Sequence, residues 1–221
     1  MVKPTSKELE HWKCAQKFPQ SKEAVYPEHT EAQEFDLWRD ADVLEYGCGG
    51  GSDTISYLRR GNRVWFTDVV ASNVECSRQR VEAAGLSAKS QGVVLPSSDG
   101  FGAFPDAMFD VVSSHGVLHH ISEPLPVLRQ MRRVIRPDGS LYVMLYTEHL
   151  HERCRTGIQG LVANGMTETE AFCYMTDGGA CYARPYTESE ARELLSEAGF
   201  EVTSFLEWNA RDFRTYRAKP R

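Results

Sequence analysis

The sequence predicts a doubly wound, mostly parallel α/β sheet of seven strands that closes on an antiparallel edge hairpin. Three observations predict it. From residue 42 onward, short apolar runs alternate with amphipathic stretches, the pattern of strand–helix–strand units. The first apolar run passes straight into GCGGG at 47–51, and such a glycine cluster marks a strand-to-helix turn whose backbone approaches a ligand. The last two apolar runs follow one another with no helix between them, so they pair antiparallel.

Each element follows from its own residues. In TSKELEHWKCAQKF, Thr5 and Glu8 stand at capping-box spacing and predict an N-terminal helix. PEHTEAQEFDLW, after a turn near Pro27, predicts a second. DVLEY (42–46) reads as a strand, SDTISYLRR as a helix, and RVWFTD (63–68) as the next strand. SNVECSRQRVEAAG is a helix closed by Gly85, and QGVVL (91–95) and FDVVSSH (109–115) are strands. EPLPVLRQMRRVI is a helix ending at the RPDG turn, and SLYVMLYT (140–147) is an apolar strand. TESEARELLSEAG carries a second capping box, Thr187 with Glu190, and precedes the strands FEVTSFLEW (200–208) and DFRTYRAK.

Residues 148–186 break this rhythm, being far longer than an ordinary connection. They are expected to hold extra helices above the carboxyl edge of the sheet, where open α/β sheets bind their ligands. A substrate lid is the functional reading of that segment; a decorative insertion is the other. The chain therefore divides, within one domain, into an N-terminal helical cap (1–40), a binding core (41–147), a lid insertion (148–186) and a C-terminal helix with strands (187–221).

Composition narrows the function classes. The 221 residues are 41% hydrophobic and 25% charged, ordinary for a globular protein. No apolar run approaches a membrane span, and the polar N-terminus lacks a signal peptide's apolar stretch, so a cytoplasmic location is expected. The net charge is −6, while residues 211–221 hold five basic residues and one acid, leaving −10 on residues 1–210. An acidic body argues against a phosphate-backbone groove and makes nucleic acid an improbable partner. The basic tail reads as a solvated final strand. Six cysteines stand without a CxxC pair and read as free thiols. Cys154, Cys173 and Cys181 with His149 and His151 match no common zinc spacing, so no metal is expected. Oligomeric state has no signal here.

The glycine turn narrows the ligand. A dinucleotide fingerprint GxGxxG would need a third glycine at Ser52. Glycines stand instead at 47, 49 and 51, with Glu45 two residues ahead. An acid there is unfavourable beside a pyrophosphate and favourable near a cationic ligand. S-adenosylmethionine, with a sulfonium and an ammonium, suits it better than NAD.

At this point the chain resembles the class I S-adenosylmethionine-dependent methyltransferases, the type 11 group. VLEYGCGGG resembles the family's glycine motif, VWFTDVVASNVE its second motif, and FPDAMFDVVSSHGVLHHI followed by VLRQMRRVIRPDGSLYVMLY its central signature. The resemblance covers residues 40–147 closely and 187–221 by element order. It implies a Rossmann-like fold, S-adenosylmethionine as cofactor and S-adenosylhomocysteine as product. It implies that Gly47, Cys48, Gly49 and Gly51 bring backbone to the methionine end, with Glu45 stabilising the turn or the amino group. Asp68, 17 residues past Gly51, has the acceptor-only chemistry that two ribose hydroxyls need; a helix-start cap is its other reading. Val69 would pack on the adenine. By resemblance Asp99 accepts from the adenine amino group, with Gly100 and Phe101 beside the ring, though Asp99 also suits a plain turn. His115 points to the sulfonium region in the family pattern.

Methyl transfer from a sulfonium depends chiefly on alignment and exclusion of water, with a base only where the nucleophile holds its proton. His119 and His120 are the candidate bases, and either can instead pack beneath the cofactor. Tyr146 closes the fifth strand toward the acceptor. Tyr182, Arg184 and Tyr186 stand where the insertion rejoins the core, and Arg184 suits a planar or carboxylated acceptor or braces the lid. Tyr26 closes over the cofactor from the N-terminal cap. The expected enzyme methylates a small molecule; a macromolecular methyltransferase and a non-catalytic nucleotide binder are its rivals.

Overall fold

The computed structural model describes residues 26–179 and 182–221. The helix expected around Thr5 and Glu8 lies outside them. Seven strands form one sheet in the order β3-β2-β1-β4-β5-β7-β6. They are β1 (Asp42–Tyr46), β2 (Arg63–Asp68), β3 (Ser90–Val94), β4 (Phe109–His115), β5 (Ile135–Tyr146), β6 (Phe200–Trp208) and β7 (Phe213–Pro220). The first five run parallel, and β7 runs antiparallel between β5 and β6.

Both faces of the central strands are buried, as a covered parallel sheet requires. Val43, Val64, Phe66 and Val111 pack on one side with Tyr57 of α2 (Ser52–Arg59) and Val74 and Val81 of α3 (Ala71–Ala83). Leu44, Val112 and Leu141 pack on the other with Leu128 and Met131 of α4 (Pro124–Val134) and Ala191 and Leu195 of α7 (Glu188–Glu197). Adjacent residues such as Val43 and Leu44 face opposite layers, the two-residue period of a strand.

The remaining helices sit at the sheet's carboxyl edge. Short α1 (Glu28–Gln33) ends at Glu34, whose φ of +48° turns the chain into a 3₁₀ turn, Phe35–Leu37. The insertion folds as α5 (Glu148–Ala163) and α6 (Glu168–Asp177). Its two ends meet at the tip of β5: Thr147 bridges Tyr186, and the Tyr186 N–H donates to the Tyr146 carbonyl at 2.9 Å. The Thr187–Glu190 capping box forms as the sequence predicts, and a further box, Thr167–Glu170, starts α6. Among the described residues no helix is long and apolar enough to cross a membrane.

Three expectations change. First, β5 begins at Ile135 rather than 140: the RPDG residues form an irregularity between the pairs Phe109↔Ile135 and Val111↔Ser140. Second, the basic C-terminal strand is not a solvated one. β7 lies inside the sheet, and Arg214, only 3% exposed, pairs with Glu207 and Glu148. A buried guanidinium is tolerable because those carboxylates and the Tyr216 hydroxyl occupy its donors. Third, Cys48 and Cys154 are free thiols, but Cys76 and Cys173 are disulfide-bonded. Sequence spacing does not report which thiols folding brings together.

Candidate active site

The strand order reverses between β1 and β4, and a crevice opens above their carboxyl ends, as it does in open α/β sheets. A cleft of about 310 Å³ occupies this point. One wall is the glycine turn, with Gly47, Cys48, Gly49, Gly50 and Ser52. The other is aromatic, with Tyr26, Tyr146, Trp208 and Phe213, and His115, Gly116 and Met144 form the floor.

The turn is held from several sides. The Gly47 and Cys48 N–H groups donate to the Thr67 carbonyl at 2.8 and 2.9 Å, tying the turn to β2. Gly47 has φ +78°, and a Cβ there would stand 2.2 Å from Val117 Cγ2. Only glycine fits. Glu45 is buried and accepts from the Thr54 hydroxyl of α2, a contact that braces the turn. The Cys48 thiol is pushed up by burial and by Glu45, and Ser77 donates to its sulfur.

Asp68 ends β2 directly beside this turn. Its Oδ2 accepts from the Gly49 N–H at 3.2 Å and from Asn73 Nδ2 at 3.0 Å, and its Oδ1 from the Val70 N–H at 2.9 Å. The carboxylate therefore links the glycine turn to the start of α3. Val69 is half exposed beside it. Tyr46, beneath, donates to the Ser98 carbonyl at 2.9 Å and fixes the loop that carries Asp99. Asp99 is exposed and accepts from the Ser97 hydroxyl at 2.9 Å, and the Gly100 N–H donates to the Ser97 carbonyl.

Several expected site residues lie elsewhere than the sequence places them. The Phe101 ring is 1% exposed and stacks on Tyr46 in the core, because an exposed benzyl group would forfeit that burial. It is no wall of the cleft. His119 is fully buried, its ring 3.6 Å from that of Tyr146 in a stack, so Tyr146 stands between it and the cleft. As a general base it has no path to an acceptor. His120 is partly exposed and its Nδ1 donates to the Tyr182 carbonyl at 2.9 Å, but it too lies outside the cleft lining. Arg184 donates to Glu190 at 2.9 Å and lies over the Tyr186 ring, while Tyr186 itself is buried. Those contacts brace the start of α7, and Tyr182, Arg184 and Tyr186 all lie outside the cleft lining.

Burial first, then the neighbouring His120, hold the His119 imidazole well below its ordinary 6.5. The unfolded chain takes up that proton near pH 6.5 and the folded chain only at lower pH, so stability falls as pH drops below about 6.5. Melting curves from about pH 8 to about pH 5 should show a shallower acid loss in His119→Phe, which keeps the stack on Tyr146 and removes a slope of at most about 1.4 kcal/mol per pH unit. Parallel curves would mean that His119 binds its proton inside the fold.

Several cleft residues were missed by sequence reasoning. Met144 shares a strand face with Tyr146, two residues away, and that period was a usable signal. Arg80 stands three residues after Ser77 on α3; Ser77 donates to the Gly49 carbonyl at 3.0 Å and Arg80 to the Gly50 carbonyl at 2.6 Å. Trp208 and Phe213 enter because they pair across the β6–β7 hairpin while Phe213 also pairs with Tyr146. His29 was also missed. It is buried against Asp53 at 3.0 Å, and its ring lies 4.6 Å from that of His115. His115 bonds Thr215 and stacks on Trp208. His149 and His151 pair with Glu148 and Glu168.

Residues 44–143 match the family described as Methyltransferase domain. The chain is 30% identical over 180 residues to the tRNA 5-carboxymethoxyuridine methyltransferase of Escherichia coli K12, covering 75% of this chain and 66% of that protein. It thus spans about two thirds of that relative's length. In structure it is similar to a SAM-dependent methyltransferase from Aquifex aeolicus, with a TM-score of 0.68 at 19% identity over 96% of this chain and 98% of that one. It is also similar to magnesium protoporphyrin IX methyltransferase from Synechocystis with bound SAH, with a TM-score of 0.65 at 17% identity over 100% of this chain and 90% of that one.

Proposed function

We propose, for a chain that belongs to the class I S-adenosylmethionine-dependent methyltransferases, that its cleft serves methyl transfer to an oxygen or nitrogen of a small-molecule acceptor. Its cofactor is S-adenosylmethionine, with S-adenosylhomocysteine as product. The observation that carries the reading is the two-sided cleft, backbone of a glycine turn facing four aromatic rings.

When bound, the cofactor supplies a methyl group on a positively charged sulfur. The residues fit such a group. Aromatic faces attract a cation, and those of Tyr26, Trp208 and Phe213 lie within 5.8 Å of one another. Gly47 and Gly49, at positive φ in the cleft lining, leave their turn open to the methionine end, and Gly51 makes room for Ser77 behind it. Asp68 accepts the ribose hydroxyls: of about four lone-pair sites on a carboxylate three are used here, so one hydroxyl takes the remaining site and the other takes the site now held by the Asn73 amide. Val69 packs on the adenine and Asp99 accepts from its amino group. His115 orients the sulfonium end, and His120 is the remaining candidate base. The insertion and Tyr26 exclude water from the transferred methyl.

Transfer to RNA is the second reading, favoured by the tRNA-modifying relative and opposed by the acidic body. Calorimetry is expected to give a binding isotherm with S-adenosylhomocysteine and none with NAD. The reverse would overturn the methyltransferase reading. Label from methyl-tritiated cofactor should enter a small-metabolite fraction; label in a tRNA pool would move the acceptor to nucleic acid.

A further inference from the structure

Tyr146 lines the cleft, yet its hydroxyl proton is directed away from it. The hydroxyl donates at 2.9 Å to Oδ1 of Asp177, the last residue of α6. An ionised carboxylate can only accept, so the direction of this bond is fixed. What the Tyr146 oxygen offers to a molecule in the cleft is lone pairs. Asp177 is itself held: the Thr176 hydroxyl donates to its Oδ2 at 2.5 Å, and His120 Nε2 lies 3.7 Å from the same oxygen. His120 is oriented by the Tyr182 carbonyl. Burial, and then the Asp177 carboxylate, push the Tyr146 hydroxyl far up, so it stays a phenol.

These groups make different demands on different acceptors. A hydroxyl or amine nucleophile would donate its hydrogen to the Tyr146 oxygen. A carboxylate would meet lone pairs on Tyr146 and a negative charge behind it, with its own acceptors unpaired. A site built this way rejects the mispaired partner strongly, because a buried polar group is left without its bond.

Resting on the methyl-transfer reading above, we propose that Asp177, through Tyr146, sets the acceptor class: a small molecule donating a hydrogen bond from a hydroxyl or amine, with carboxylates excluded. Asp177 is a positioning residue here, contributed by the insertion to a strand tip of the core.

The test uses two single-ring probes, catechol and benzoate, titrated by calorimetry into the full chain saturated with S-adenosylhomocysteine. The wild type should bind catechol at least about tenfold more tightly than benzoate. Asp177→Asn can present its amide N–H to Tyr146, releasing the phenol proton toward the cleft, and should bring the two affinities together or invert them. Tyr146→Phe should lose the catechol preference without gaining benzoate, which keeps the proposal testable if Asp177→Asn fails to fold. A merely structural role for Asp177 would lower both affinities and leave their ratio unchanged, and that result overturns the proposal. So does equal binding of both probes by the wild type, or binding of neither. Failure of the wild type to bind S-adenosylhomocysteine would instead sink the methyltransferase reading itself.

Discussion

Gly47→Ala is expected to lose cofactor affinity by more than about tenfold, or 1.4 kcal/mol, and to melt well below the wild type. Two effects add. An L-residue at φ +78° costs roughly 1–2 kcal/mol. The new methyl would also stand 2.2 Å from Val117 Cγ2, an overpacking of the kind that costs about 1–3 kcal/mol. For a chain of this length about 3 kcal/mol lowers Tm by roughly 6–12 °C. Two controls separate the effects. Val117→Ala in the same background should restore the steric part and leave the backbone part. Gly61→Ala, at φ +88° with nothing within 4 Å of its new Cβ, should carry the backbone strain alone. If Gly61→Ala weakened S-adenosylhomocysteine as much as Gly47→Ala does, the turn would not be the binding element.

Asp68→Ala should weaken S-adenosylhomocysteine by roughly 1.5–3 kcal/mol, the scale of hydrogen bonds to a charged acceptor. In dissociation constant that is about ten- to 150-fold. Part of the loss is architectural, since the Gly49 and Val70 N–H groups and the Asn73 amide all donate to this carboxylate. A double cycle with 2′-deoxy-S-adenosylhomocysteine isolates the ligand's share. The wild type should discriminate against the deoxy ligand, and the variant should not. Equal discrimination by both would leave Asp68 as a brace between the glycine turn and α3, without a ribose role.

The local elements and one wall of the cleft are legible in the residues alone. β1, β2, β4 and β6 carry the bounds that their residues predict, and for the inner strands β1, β2 and β4 the reason is that burial on both faces writes length directly into hydrophobicity. The glycine turn and Asp68 were legible for a similar reason: positive φ and an acceptor-only carboxylate are demands that few residue types meet. Contacts between distant segments were decided only in the tertiary structure. Trp208 and Phe213 reach the cleft because β7 threads back beside β5 and sets the hairpin turn at the carboxyl edge. That same threading buries Arg214, in a segment whose composition resembles a solvated tail. His119 and His120 are neighbours in the chain with opposite surroundings, since successive residues of a 3₁₀ turn point about 120° apart. Asp177 meets Tyr146 across 31 positions of chain. No periodicity encodes that meeting; it depends on where the insertion's two helices come to rest, and burial of their apolar faces, Phe172 among them, against Tyr146 and Trp208 decides it.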